Sequence, residues 1–442
     1  MNYPFWEVPV LGGGWMIGLV AIIHIYIAHF AVGSGFFLVY TEWKALRRDD
    51  REVLDYIRYH SYFFVLITLV SGAVTGVGIW FTIGLVHPDA TSALIHQFVF
   101  VWAIEWVFFL VEIIAALVYY RTWDRLTPRQ HLRVGVVYAV ASFLSLVAIN
   151  GILTFMLTPG RWLETGRLWD AYFNPGNLPS LGLRTLVTFS IAGLFALVTA
   201  ARWRNAETRV RLLRYAAKWL VPAYILLPLF AVWYLLMAPP QALQALQSGV
   251  SVTGVGTLAI LTRVAMLCIM ISATIGIFAY VGPYLNPKNF SFPMALIFLL
   301  LGLVVTGATE WSREMLRKPY VLYGYMYSNG LRPGDLERLN RTGVLAEARW
   351  TTVKAITADN RVEAGRQVFR IQCASCHTVR GYRSMTAVLK GRDLDSLRAF
   401  LKTLRDPQGP YVGLMPPLMG TPEEEQALAA YLLTISQEAE GK

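Results

Sequence analysis

Charge and cysteine are both scarce in this chain. Only 15% of its 442 residues are charged and 55% are hydrophobic, against about 25% charged in ordinary soluble domains. With a mean hydropathy of +0.47, that shortage excludes a soluble enzyme as the overall class. Three cysteines, two of them inside one five-residue motif, cannot build a disulfide framework. The formal charge of +11 would suit nucleic acid if it lay on one exposed face. It lies instead beside long apolar stretches, so membrane lipid is the expected partner and nucleic acid is not. Repeats of fixed period and low-complexity tracts are also lacking. The last hundred or so residues break the apolar pattern with runs such as GDLERLNRTG and TPEEEQAL.

A bilayer core of roughly 30 Å needs about 20 apolar residues of helix. Eight such stretches lie near 15–40, 61–86, 98–120, 132–158, 183–201, 219–237, 256–281 and 291–311. The first is too long for a signal peptide, lacks a basic flank and has no small-residue cleavage site, so it is expected to stay in the mature protein. The connections alternate in charge. Lys44, Arg47, Arg48, Arg51 and Arg58 mark the first, Arg121, Arg125, Arg129 and Arg133 the third, and Arg202, Arg204, Arg209, Arg211, Arg214 and Lys218 the fifth. The second and sixth carry none, the fourth only Arg161 and Arg167, and the seventh Lys288. By the positive-inside rule the N-terminus lies outside the cytoplasm, and eight spans return the polar tail to that side. The expected fold class is all-α: a polytopic membrane bundle over 1–325, a linker over 326–358 and a small helical domain over 359–442.

Cys373, Ala374, Ser375, Cys376 and His377 spell C-x-x-C-H, the attachment motif of a c-type heme. The spacing lets two thiols on one turn bond the heme while the next residue offers imidazole to the iron. A zinc reading would need a second ligand pair, and a thioredoxin-like reading would not need the histidine. The tail holds no other histidine, so the sixth ligand is expected to be a thioether. Met415, in GLMPPL, is the choice because prolines follow it; Met419 and Met385 compete. With flanking helices EAGRQVFRIQ and EEEQALAAYLLTI, residues 359–436 resemble a single-heme class I cytochrome c domain. Cytochrome c maturation occurs outside the cytoplasm, where the basic-loop pattern puts the tail.

Ionisable groups inside a membrane span are functional candidates, because each costs at least about 2.5 kcal/mol at the helix centre unless paired or hydrated. His24 and His29 lie on span 1, Glu105 and Glu112 on span 3, Arg263 on span 7, and Glu310, Arg313 and Glu314 at the end of span 8. Glu105 and Glu112 are seven apart, so they share a face, and a carboxylate stripe suits a proton path. His24 and His29 point about 140° apart and cannot serve one iron together. His24 is expected to hold a membrane heme, with His29 as a donor or a further ligand. His60, His96 and His131 fall at span ends, where interfacial side chains are expected.

Residues 10–325 resemble subunit I of the cytochrome bd oxygen reductases. The resemblance rests on His24, GAVTG at 72–76, WAIEWVFFLVE around Glu105 and Glu112, WDRLTPRQH at 123–131 and NG at 150–151. Thinner matches are NP at 174–175, Arg263 and EWSREMLRKPY at 310–320. It implies that His24 ligates an active-site heme, that Glu105 and Glu112 serve the heme pair and its protons, that Arg263 contributes to cofactor binding, and that Glu310 or Glu314 ligates a second membrane iron. The implied cofactors are one covalent heme c and two membrane hemes of b and/or d type. The chain departs from that family where a histidine and a methionine hold the low-spin b heme, since Arg184 and Ala265 stand at the matching positions and Met266 faces about 100° away. The stretch 238–256 is also too short for the quinol loop. The chain therefore resembles the cytochrome c-containing branch that lacks a quinol site.

The expected function is a respiratory oxidoreductase that takes electrons at heme c and reduces oxygen to water at buried hemes. A soluble or membrane-bound cytochrome would be its donor, a further membrane subunit its partner and a bacterial-type inner membrane its location. The alternative is a closed, six-coordinate electron-transfer subunit of a larger complex, or a reductase of nitric oxide or peroxide. Arginine remains protonated and alanine has no donor atom, so heme is not expected between spans 5 and 7. Purified protein should accordingly fail to reduce its hemes with quinol alone; rapid reduction in a stopped-flow assay would overturn that expectation.

Overall fold

The computed structural model describes residues 3–243 and 257–441. Among the described residues, eight helices are long and apolar enough to cross a membrane: span 1 (Gly13–Arg48), span 2 (Arg51–Val86), span 3 (Pro88–Arg121), span 4 (Pro128–Phe155), span 5 (Asn177–Ala201), span 6 (Ala206–Leu236), span 7 (Ala259–Leu285) and span 8 (Phe292–Arg317). Most extend past their apolar runs because the flanking Lys, Arg and Glu residues are good helix formers. Amphipathic segments at Arg51–Val65 and Ala206–Lys218 open spans 2 and 6. Side-chain caps set their starts: Asp50 accepts from Val53 N, Asn205 from Glu207 N, and Thr127 with Gln130 forms a capping box before span 4. Among the described residues the only strands are the short hairpin Tyr320–Leu322 and Met326–Tyr327. The expected all-α class and eight-span count are what the structure has. Of the stretch 238–256, residues 244–256 lie outside the described residues.

Span 1 is the hub and packs on spans 2, 4, 5 and 8. Its contact with span 5 is close because Gly33 has no side chain: a Cβ there would stand 2.0 Å from the Thr188 carbonyl oxygen. The two helices run in the same direction, so the turn before Gly33 brings His29 level with Arg184, one turn before Thr188. Phe30 stacks on Phe195 at 3.8 Å between ring centres and cements the same contact. Spans 4 and 5 are clasped by amides. Asn150 Nδ2 donates to Asn177 O at 2.9 Å, Ser180 Oγ donates to Asn150 Oδ1 at 2.8 Å, and Asn174 Nδ2 donates to Gly151 O at 3.0 Å. The NG and NP motifs are thus a buried hydrogen-bonded joint.

The C-terminal domain builds its core from helices Arg361–Gln372, Leu394–Arg405 and Pro422–Glu440, which bury Val368, Leu397 and Leu428 together. The polar segment 326–358 is ordered and adds Leu331, Leu339, Val344 and Leu345 to the same core. Glu424 fixes it by accepting from Val344 N and Leu345 N at 2.9 and 2.8 Å.

This domain rests on the bundle end where span 1 begins and span 8 finishes. An N-terminal strap holds it there. Trp6 N donates to Leu85 O at 2.7 Å, Phe5 meets Trp350 edge-on, Glu7 pairs with Arg370, and Tyr382 N donates to Val10 O at 2.9 Å. Gly381 makes that last approach possible, since a Cβ would lie 2.0 Å from Val10 O. Gly381→Val should weaken docking by about 1–3 kcal/mol, the usual cost of overpacking. Protease sensitivity of the strap should rise while the heme c spectrum stays unchanged; equal protection in variant and parent would refute the clamp.

Candidate functional site

The C-x-x-C-H motif follows the helix Arg361–Gln372. Cys373 N and His377 N complete the turn by donating to Phe369 O and Cys373 O. Both Cys373 and Cys376 are free thiols. Burial, with Cys376 beside it, pushes the Cys373 thiol up to about 12, so it stays protonated. His377 Nδ1 bonds the Arg383 carbonyl at 3.2 Å. A carbonyl only accepts, so the proton sits on Nδ1 and Nε2 is left with its lone pair, the state a metal needs. Burial also pulls the imidazole below its ordinary value, which favours this neutral form. Met419 and Met385 are buried in the domain core at 1% and 6% exposure. Gln372 further locks the Met419 backbone by bonding both its N–H and its carbonyl. Met415 is only partly covered, which suits a ligand better than a core filler. The residues therefore fit a covalent heme.

The same tautomer argument applies in the membrane. Thr75 donates its hydroxyl hydrogen to Ser71 O at 2.6 Å, so at 3.1 Å it accepts from His24 Nδ1 and leaves His24 Nε2 open. A short π-helical stretch, Leu66–Gly72, precedes Thr75, and such bulges recur at functional sites. At Gly76 a Cβ would come within 3.1 Å of His24 Cε1, so glycine leaves room beside the ring. His29 is buried, and its Nδ1 bonds Ile25 O at 2.6 Å, again freeing Nε2. It faces Arg184 and Glu310.

Glu310 and Glu314 occupy different neighbourhoods. Glu310 Oε1 accepts from Arg184 Nη2 at 3.3 Å and Oε2 from Arg313 Nε at 2.9 Å. Glu314 pairs with Arg317 and with Lys318, the latter at 2.9 Å, and lies near His87. Arg184 thus spends its charge on Glu310. Met266 and Ala265 are exposed on span 7. Arg263 is also exposed, and among the described residues the structure does not bring it to this group.

Glu105 and Glu112 belong to a ladder between spans 3 and 4. Ser145 Oγ donates to Glu105 Oε1 at 3.0 Å, and Tyr138 OH lies 3.1 Å from Glu112 Oε1. At the third rung Tyr119 OH donates to Glu42 Oε2 at 2.7 Å, while His131 bridges Glu42 Oε1 and Tyr119 O, each at 2.8 Å. Residues 105, 112 and 119 step by seven up span 3, and 145, 138 and 131 step by seven down span 4, so the rungs are about 10 Å apart. Tyr138 has one hydroxyl hydrogen and two acceptors, Glu112 and Ala31 O at 2.9 Å. It can donate to only one of them at a time. His131 and His60 correct the interfacial expectation, being 2% and 0% exposed. The helices continue past the apolar runs, so residues at the runs' ends are inside the bundle. His96 is exposed, as expected for a span end.

The family model for cytochrome bd terminal oxidase subunit I matches residues 14–250, just over half of the sequence. The chain belongs to that family. A second model, cytochrome C oxidase, cbb3-type, subunit III, matches residues 360–432. Together they make the protein a heme-containing respiratory oxidoreductase of the membrane, with a cytochrome c domain fused to a bd-type bundle. The bd oxidase structure from Geobacillus thermodenitrificans is similar in fold, with a TM-score of 0.55 and 20% identity over 71% of this chain and 88% of that one. No curated protein matches the chain.

Sequence reasoning missed Glu42, Tyr119, Tyr138, Ser145, Thr75 and His87. The matching seven-residue steps on spans 3 and 4 were a usable signal for the ladder, whereas Thr75 and His87 carried none. The heme c geometry predicts that Met415→Ala loses the sulfur-to-iron charge-transfer band and lowers the potential without loss of attachment. An unchanged absorption spectrum would pass the role to Met419 or Met385.

Proposed function

We propose that this protein is an oxygen reductase fed through its own cytochrome c, with oxygen, four electrons and four protons giving two waters. The observation that carries the reading is the seating of the heme-attachment loop on the bundle. Ser375, inside the motif, and His87, beside Glu314, line one cavity. Arg383, whose carbonyl orients His377, reaches Met315 of span 8. Bound hemes would supply the electron carriers and the iron at which oxygen is reduced.

The chain's own residues do the rest. Cys373 and Cys376 attach heme c, while His377 and Met415 hold its iron. His24 offers Nε2 to a membrane heme, with His29 and Glu314 as the further candidates; Glu310, the other carboxylate expected from the sequence, gives its two oxygens to Arg184 and Arg313. The ladder runs from His131 and Glu42, at the end rich in arginine, through Glu112 to Glu105. Protons would enter from that cytoplasmic end while electrons arrive from the opposite, extracytoplasmic one. A bacterial-type inner membrane, a cytochrome donor and a further membrane subunit complete the proposal.

A closed electron-transfer subunit would need a second imidazole for each iron. His131 has both ring nitrogens bonded, and His60, although its Nε2 makes no hydrogen bond, is enclosed by the rings of Phe37, Tyr56 and Phe63. That favours an iron with an open position. Carbon monoxide should therefore shift the spectrum of the reduced membrane hemes, and a protein that binds none would be the closed subunit. Nitric oxide and peroxide are tested as competing acceptors in the same turnover assay.

His24→Ala should remove one membrane heme and leave heme c intact, counted by pyridine hemochrome. Glu112→Gln should keep every heme and slow oxygen consumption at least about tenfold, within the range for loss of a positioned proton donor. Retention of all hemes in the first variant, or full turnover in the second, would defeat the corresponding assignment.

A further inference from the structure

Arg184 of span 5, Tyr234 of span 6, and Glu310 and Arg313 of span 8 form a polar group beside His29 that the ladder does not use. Its charges do not cancel. Two guanidinium groups share one carboxylate, and the side chains of Arg184, Glu310 and Arg313 are only 10%, 16% and 18% exposed. Glu310 already gives one oxygen to each arginine. Two buried polar atoms remain unbonded, Arg313 Nη1 and Tyr234 OH. Each carries a hydrogen to donate, and they lie in one neighbourhood with a surplus positive charge. Buried donors are almost always satisfied, and a buried cation calls for an anion. The complement is a small anion with at least two acceptor oxygens, which is a carboxylate.

We infer that Arg313, Tyr234 and Arg184 form the seat of a heme propionate, with Glu310 holding the two arginines in place. The inference rests on the proposed presence of a membrane heme at His24 or His29. His29 makes the geometry specific. Its Nδ1 is tied to Ile25 O, so its Nε2 presents a lone pair from the helix face that also meets Arg184 and Glu310. A heme beside that ring brings its own carboxylates to the two donors that Glu310 leaves unbonded.

The test uses the full-length protein with its hemes. Tyr234→Phe removes one hydroxyl and keeps the ring; Arg313→Gln removes the charge; Arg313→Lys keeps the charge and loses the fork. With a donor removed, the propionate holds more negative charge and stabilises ferric iron. Tyr234→Phe should therefore lower one membrane heme midpoint potential and shift its propionate bending mode in resonance Raman spectra, with heme c unmoved. Arg313→Gln should lower the potential further or lose that heme, and Arg313→Lys should fall between. Unchanged potentials and propionate modes in Tyr234→Phe and Arg313→Gln, with full heme content, would overturn the inference alone. A parent protein whose hemochrome shows heme c only would overturn the membrane-heme reading and this seat with it. A potential that follows chloride concentration in the parent and not in Arg313→Gln would assign the seat to a free anion and also overturn it.

Discussion

A charged side chain placed between apolar helices must find a partner, because lipid offers none and the charge is too costly to leave bare. The organisation of this bundle follows from how it meets that demand. Glu42 is answered by His131 and Tyr119, Glu112 by Tyr138, Glu105 by Ser145, and Glu310 by Arg184 and Arg313. Apart from Arg313, which sits three positions from Glu310 on the same helix, the partners come from different spans, so those pairings also fix how two helices sit against each other. The three partners along span 4 keep it in register with span 3, and the arginine of span 5 keeps it in register with span 8. Chemistry and architecture therefore draw on the same few polar atoms.

The two polar systems differ in kind. Along the ladder the carboxyls meet hydroxyl and imidazole partners, and Tyr138 has two acceptors for one hydrogen. Around Glu310 two guanidinium groups take one carboxylate oxygen each and hold it in place. The first arrangement suits movement of protons and the second suits holding an anion still. The hydroxyl-bonded carboxyls lie between spans 3 and 4 and the arginine-bonded one between spans 5 and 8, with span 1 touching both through Ala31 and His29.

Much of this was legible in the chain itself. Eight apolar runs and alternating basic connections were enough for the bundle, because span length and loop charge are one-dimensional properties. C-x-x-C-H was equally direct, since the attachment chemistry needs that local spacing. Glu105 and Glu112 could be put on one face by their separation of seven. What stayed hidden were partners remote in sequence: His131 lies 89 positions from Glu42, and nothing local indicates that they meet. Burial of His60 and His131 was missed because hydropathy marks where apolar residues stop, whereas helices continue on residues such as Arg51 and Glu207 that favour helix while facing water. The choice between Met415 and its two rivals became clearer only with the packing of Met385 and Met419 in the domain core.

The N-terminal strap has a kinetic meaning. A donor that diffuses to its acceptor delivers electrons at a rate set by its concentration and by salt, because charged faces must find each other. Here Trp6, Glu7 and Val10 keep the cytochrome domain at the bundle end. On the proposed route, transfer across that contact would be a first-order process, indifferent to how much protein the membrane holds and little affected by ionic strength. Competition among the proposed donors, and any control exerted through their abundance, would then be confined to the outward surface of the cytochrome domain.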